Sequence, residues 1–327
     1  MDGLPGIRHF ARFGVTETMI AQALSAALSR GGDHADVFFQ HRVSSSVGVE
    51  DGAVNRAHAS VDLGVGVRVV RGDQTGYGYT EDLSLPAILE CARTAAAIAD
   101  GPARPGPARF HVDGDLPDRY PLVRPWEEIR PEEKLPLVAA LNERAFAADP
   151  RVRKVNVYLA DEAGAILVAD SRGRIVEDSQ PMTLLYLSVV AEQDGRREQN
   201  GYNVAGRAGF DFYGPERLDR VVREAISRTV VLFEAGPPPA GEMPVVLAAG
   251  SSGILLHEAI GHGMEADFNR KGISIYADKI GKRIARPFVQ IVDDAANQGA
   301  RGAINVDDEG NAAGTTRLVE DGVLATY

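Results

Sequence analysis

Apolar positions in the first third of the chain recur first at helical and then at strand spacing. Val15 to Arg30 (VTETMIAQALSAALSR) predicts a helix. Thr16 or Thr18 is placed to cap it, Met19, Ala23, Leu24 and Leu28 form its apolar stripe, and Gly31-Gly32 stops it. From Asp36 to Tyr79 β-branched residues alternate with polar ones, and Asp51-Gly52 separates two such runs as a hairpin turn. A further turn at Arg71-Gly72-Asp73 leads into QTGYGYTE, which completes an antiparallel meander. Ser84 to Asp100 returns to helical texture, with Pro86 tolerable in the first turn.

Gly101 to Pro107 (GPARPGP) reads as a linker. Beyond it the pattern predicts a helix over Pro131 to Ala148 and strands around Val152–Leu159, Ala165–Ala169 and Thr183–Gln193. A helix follows over Pro215 to Glu234, then a second punctuation at Gly236-Pro237-Pro238-Pro239. Met243 to Ala248 reads as a short buried strand, and Gly250-Ser251-Ser252-Gly253 as a strand–helix turn. The expected architecture is α+β in three parts. Residues 1–104 form an N-terminal antiparallel sheet with flanking helices, and 105–236 a central α+β region. Residues 241–327 form a largely β C-terminal domain, incomplete here.

Composition narrows this picture. The chain has 327 residues, 44% apolar and 25% charged, which excludes disordered, collagenous and low-complexity classes. Its net charge of −11 argues against nucleic acid as the main partner. A single cysteine, Cys91, allows no internal disulfide, the opening MDGLPGIRHF has no secretory pattern, and no apolar run is long enough to span a bilayer. A soluble, cytoplasmic protein is expected, with no membrane partner.

The segment richest in chemistry is ILLHEAIGHGMEAD, residues 254–267. His257 and His262 stand five positions apart, with Glu258 directly after the first; the other five histidines all precede residue 112. Imidazole is a favoured zinc donor, and an adjacent Glu can take a proton from water beside a metal. In a regular α-helix, five positions rotate about 140° and rise about 7.5 Å, so the rings would splay apart. Shared ligation therefore demands an extra residue per turn or unwinding near His262, which the flanking Gly261 and Gly263 make inexpensive. Ile254, Leu255 and Leu256 imply burial. Ordinary hydrogen-bonded histidines and a solvated acid are the alternative, and the residues alone leave both readings open.

The string GSSGILLHEAIGHGMEADFNRKG with the following ISIYADKIGKRIA closely resembles the TldD branch of the TldD/PmbA family, whose catalytic members carry HExxxH. The runs DVFFQ, GVEDG, GVGVRVV, GYGYTED and GRAGFDF extend the resemblance over nearly the whole chain. It implies a zinc-dependent peptidase subunit acting on unfolded or modified peptides with a PmbA/TldE-like, non-catalytic partner. His257 and His262 would be metal ligands and Glu258 the general base that activates the zinc-held water. The family's third protein ligand is a Cys near the end of a longer chain. Cys91 does not match it, and the sequence ends at Tyr327 as VLATY starts a strand. The expectation is a truncated metal domain, with a catalytically inactive assembly or client-binding subunit as the alternative. A homo-oligomer is also compatible. Glu265 and Asp267 are substitute ligands at most, and read better as surface or supporting groups.

Other candidates carry less. Cys91 lies in an Ala-rich helix and reads as a buried structural thiol. Gly64-Val65-Gly66 lacks the context of a dinucleotide fingerprint, and the glycines at 250 and 253 lack a following Lys. Arg151-Val152-Arg153-Lys154 and Lys279 to Arg286 read as solvated faces. Tyr77 and Tyr79 read as strand side chains, and Asn200 to Phe212 as a loop that either lines a groove or packs between domains.

Overall fold

A computed structural model describes residues 7–112 and 116–327. Most of the amino-terminal run read for a leader, Met1 to Gly6, lies outside the described residues. The fold is α+β, and the chain divides into two compact units. One takes the chain up to Ala235 together with Asn297–Ala313, the other Gly236–Ala296 with Gly314–Tyr327.

In the first unit, six strands form one antiparallel sheet: β1 (His34–Glu50), β2 (Ala53–Arg71), β3 (Gln74–Thr80), β4 (Val152–Asp170), β5 (Ile175–Gln193) and β6 (Arg196–Gly206), in the order β3-β2-β1-β4-β5-β6. Strands from both the 1–104 and the 105–236 segments therefore share this sheet, through the β1–β4 pairing of Asp36 with Asp170 to Glu50 with Asn156. The hairpin expected at Asp51-Gly52 is present, with φ of 49° and 84°, the left-handed pair that a two-residue turn matching strand twist requires.

One face of the sheet carries two cores. Helices α1 (Glu17–Ala27) and α2 (Leu85–Ala96) cover Val37, Phe39, Val65, Val67 and Leu167. Helices α3 (Pro131–Ala148) and α4 (Pro215–Val230) cover Val47, Val157, Leu159, Leu185 and Leu187. The β1 and β4 positions are all odd-numbered, as a two-residue period demands. Strands of 17 and 19 residues are long enough, at roughly 3.4 Å per residue, to seat the two helix pairs side by side. Thr16 caps α1 by accepting from Met19 N. On the opposite face Val306 joins Ile166, Val168 and Val176.

Several local expectations are corrected. The strands expected at Val152–Leu159 and Ala165–Ala169 are one continuous strand, because Asp161 to Gly164 stays paired with both neighbours. Asn200 to Gly206, read as loop, is the second half of β6, held by pairing to β5. Met243 to Ala248 forms no strand, and Val246 is 94% exposed, since no strand among the described residues pairs with it.

The second unit contains helix α5 (Ser252–Leu256), helix α6 (Ala266–Arg270) and a three-stranded sheet of β7 (Ile291–Asp294), β8 (Thr315–Glu320) and β9 (Val323–Leu324). Its core is Met264, Val319 and Leu324, with Ile260, Tyr276, Ile284 and Ile291 against it. No helix among the described residues is long and apolar enough to cross a membrane.

Candidate metal centre

The segment after α5 abandons α-helical bonding at the first histidine. His257–Gly261 is a π turn, and His262–Met264 a 3-10 turn. A π turn closes i→i+5 bonds, so it inserts one residue and brings positions five apart towards the same side. Ile260 and Met264 anchor the segment in the small core while His257, Glu258 and His262 remain exposed. The predicted break in the helix is thus present, and the burial expected from Ile254, Leu255 and Leu256 is not: they are 65%, 54% and 45% exposed.

The imidazoles of His257 and His262 meet edge to face, with ring centroids 4.4 Å apart and planes at 65°. His262 Nε2 lies 3.6 Å from Glu258 Oε2. One donor atom from each of the three residues falls within 4.8 Å of the others, so the set is compact enough to address a single cation. Imidazoles are donors that zinc takes in peptidases, and two of them with a carboxylate alongside fit zinc on that chemistry.

The glycines act differently from the expectation. Gly261 and His262 have φ of −59° and −58°, ordinary helical values that need no glycine. What Gly261 supplies is room, because a Cβ there would lie 3.0 Å from His257 Nδ1. At Gly263 a Cβ would lie 2.9 Å from the Tyr276 ring.

Glu265 does not join the donor cluster. Its Oε1 accepts from His262 Nδ1 at 2.6 Å, on the opposite edge of the ring from Nε2. That hydrogen bond, reinforced by the charges of Glu265 and Glu258, raises the His262 pKa. Asp267 faces Lys271 at 3.7 Å instead.

Other sequence candidates fall away as sites. Cys91 is buried, and burial with the nearby Glu90 pushes its thiol pKa up, away from a reactive thiolate. Arg151 is paired with Asp149, and Lys154 with Glu50. Tyr77 and Tyr79 stack at 6.2 Å over a trough of about 490 Å³ that includes Phe38, Gly64 and Gly66. Arg207 lies over the Tyr120 ring at 5.4 Å, packed within the first unit. The sequence reading missed a buried ionic cluster. Lys134 Nζ lies 2.7 Å from Asp161 Oδ2 and also donates to Ser45 Oγ at 2.6 Å. A Lys on the inward stripe of α3 was its only signal in the sequence.

Comparison with known proteins follows the same three-part order. Residues 35–99 match the family model described as PmbA/TldA metallopeptidase domain 1, residues 124–233 the central domain, and residues 240–327 the C-terminal domain. The metalloprotease TldD homolog of Haemophilus influenzae is 36% identical over 90% of this chain and 62% of its own length. That of Buchnera aphidicola is 33% identical over 90% and 62%. A zinc metalloprotease TldD homolog of Saccharolobus solfataricus is 25% identical over 91% of this chain and 65% of its own length. The chain therefore spans less than two thirds of the length of these relatives. Among solved structures, a putative modulator of a DNA gyrase from Thermotoga maritima superposes with a TM-score of 0.74 at 21% identity, covering 95% of this chain and 70% of that one. TldE from Thermococcus kodakarensis superposes with a TM-score of 0.69 at 16% identity, covering 95% and 69%.

Proposed function

The chain belongs to the PmbA/TldD metallopeptidase family, and from that premise we propose that it is a zinc-dependent peptidase subunit acting on unfolded or modified peptides. His257 and His262 are two of its zinc ligands and Glu258 is its general base. The observation that carries the reading is the π turn at His257–Gly261, which gathers three donor atoms within 4.8 Å of one another. A rearranged helix is an expensive way to place two solvated histidines, and a direct way to make them share one ion.

The chemistry that zinc supplies when bound is polarisation of the scissile carbonyl and a lowered pKa for water, towards ~7. Glu258, 62% exposed and beside His262, is open to solvent and substrate. It takes a proton from the attacking water and delivers it to the leaving amine, a role typically worth about 10²–10⁴-fold in rate. Catalytic zinc usually takes three protein ligands and a water. With Glu258 reserved as base, the two histidines leave one protein position to be filled from elsewhere.

The reading keeps residues 241–327 as the metallopeptidase segment of a three-part chain, after segments 1–104 and 105–236. A PmbA/TldE-like subunit as partner and a cytoplasmic site of action belong to the same reading.

The test is cleavage of a quenched-fluorescence unfolded peptide by the zinc-loaded chain, alone and with a TldE-type subunit. Cleavage that chelator removes and zinc restores, and that Glu258→Gln abolishes while zinc stays bound, is expected. Full activity in Glu258→Gln overturns the assignment of the base. Zinc binding with no cleavage under any pairing leaves an assembly subunit.

A further inference from the structure

Glu265 closes the 3-10 turn that carries His262, with φ −62° and ψ 133° at the point where the chain leaves helical geometry. An exposed pair such as His262 and Glu265, 53% and 44% open to solvent, is ordinarily loose and only weakly stabilising. Here the backbone between the two residues is clamped. Asn269, 6% exposed, uses its Nδ2 to donate both to Gly263 O at 2.9 Å and to Glu265 O at 2.8 Å. Ser274 Oγ donates to the same Gly263 carbonyl. The Tyr276 ring closes over Gly263 so tightly that no side chain fits there. Each contact fixes the path from His262 to Glu265, and so fixes where the carboxylate is delivered.

The point of delivery is His262 Nδ1. Which ring nitrogen of a histidine carries the proton is set by the hydrogen bond the other nitrogen makes. A neutral imidazole in water favours protonation at Nε2, the nitrogen that here turns to Glu258 and has to be bare to bind a cation. A carboxylate at Nδ1 reverses that preference. We infer that Glu265 is a positioning residue of the metal centre, holding His262 in the Nδ1-protonated tautomer so that its Nε2 lone pair is presented to zinc beside Glu258. This deepens the zinc reading and rests on it. Partners of this kind typically account for about 10–100-fold in metal affinity.

The experiment uses the full chain with ¹⁵N-labelled histidine and no metal. Long-range proton–nitrogen correlation at a pH where the ring is neutral reads the tautomer, and chelator competition then reads the zinc dissociation constant. The parent is expected to show His262 protonated at Nδ1. Glu265→Ala is expected to move the proton to Nε2 and weaken zinc binding about 10–100-fold. Glu265→Gln, whose amide oxygen still accepts, should restore the tautomer and most of the affinity, which a merely structural role would not require. Circular dichroism of each variant checks that it remains folded. A parent ring protonated at Nε2, or a Glu265→Ala variant with unchanged tautomer and zinc affinity, overturns the inference. A tautomer that follows Glu265 in a parent chain that binds no zinc upholds the positioning and refutes the zinc reading instead.

Discussion

The His257 ring occupies the space that a side chain at Gly261 would need: a Cβ on Gly261 would lie 3.0 Å from Nδ1 and 3.3 Å from Cγ of that ring. The glycine keeps a helical φ of −59°, so it serves the imidazole rather than the backbone. Gly261→Ala should therefore separate stability from metal binding. Ala is favoured over Gly in a helix by about 1 kcal/mol, which offsets the crowding, so the melting temperature should hold or rise. Zinc affinity should fall, because the ring must move. Calorimetry with a zinc titration checks this, and a lower melting temperature with unchanged affinity would contradict it.

The first unit should be sensitive to acid through two histidines. His9 Nε2 lies 3.0 Å from His41 Nδ1, and Arg12 Nη2 lies 2.9 Å and 3.0 Å from them. Burial, then the Arg12 charge, then His41 hold the His9 pKa down to about 4. Burial and Arg12 lower His41 as well, against Glu127. In the unfolded chain both groups take up protons near ~6.5, so between that pH and about 4 the unfolded state binds more protons. Stability should then fall as pH falls through this window. Urea midpoints against pH should fall less steeply in a His9→Asn/His41→Asn variant than in the parent, and parallel profiles would contradict the account.

Asp178 ties residues 297–313 to the sheet. Its carboxylate accepts from Tyr120 Oη at 2.5 Å and from Asn305 Nδ2 at 2.9 Å, and Asn305 N donates to the same Tyr120 oxygen. Asp178→Ala leaves two buried donors without an acceptor, at about 1–3 kcal/mol for each orphaned group. Hydrogen exchange should quicken across 297–313 before it does in β1 and β4. Uniform quickening would mean that the segment is not held there.

Lys134 and Asp161 form a buried pair with side chains 6% and 5% exposed. Burial pushes the Asp161 carboxyl pKa up, and the Lys134 ammonium pulls it back only in part. Lys134→Ala strands a charge and should cost about 3–5 kcal/mol in urea unfolding, whereas Lys134→Met with Asp161→Leu should recover most of it. Equal losses in both would show that shape rather than charge decides.

The sequence made legible those elements whose causes are local. Asp51-Gly52 set a hairpin, Thr16 capped a helix, and the five-residue histidine spacing, read as shared ligation, pointed to the departure from α-geometry found at His257–Gly261. Asp194-Gly195 carried the same hairpin signal, with φ of 51° and 78°, and would have located β6. Asn200 to Gly206 is too rich in Asn and Gly to read as strand, and its order comes from pairing with β5. Apolar runs misled where burial depends on a neighbour, as at Met243 to Ala248 and Ile254 to Leu256. The space at Gly261 and the turn of Glu265 towards Nδ1 depend on where rings and carboxylates settle in three dimensions. The i,i+3 spacing brings Glu265 within reach of His262 but does not select Nδ1.

The central claim is that one cation is gripped by both imidazoles of the π turn. X-ray absorption at the zinc edge on the zinc-loaded chain tests it most directly. The account predicts two imidazole nitrogens with Zn–N near 2.0–2.1 Å, reduced to one by His257→Ala and by His262→Ala. A spectrum with fewer than two imidazoles in the parent, or one that either substitution leaves unchanged, would contradict it.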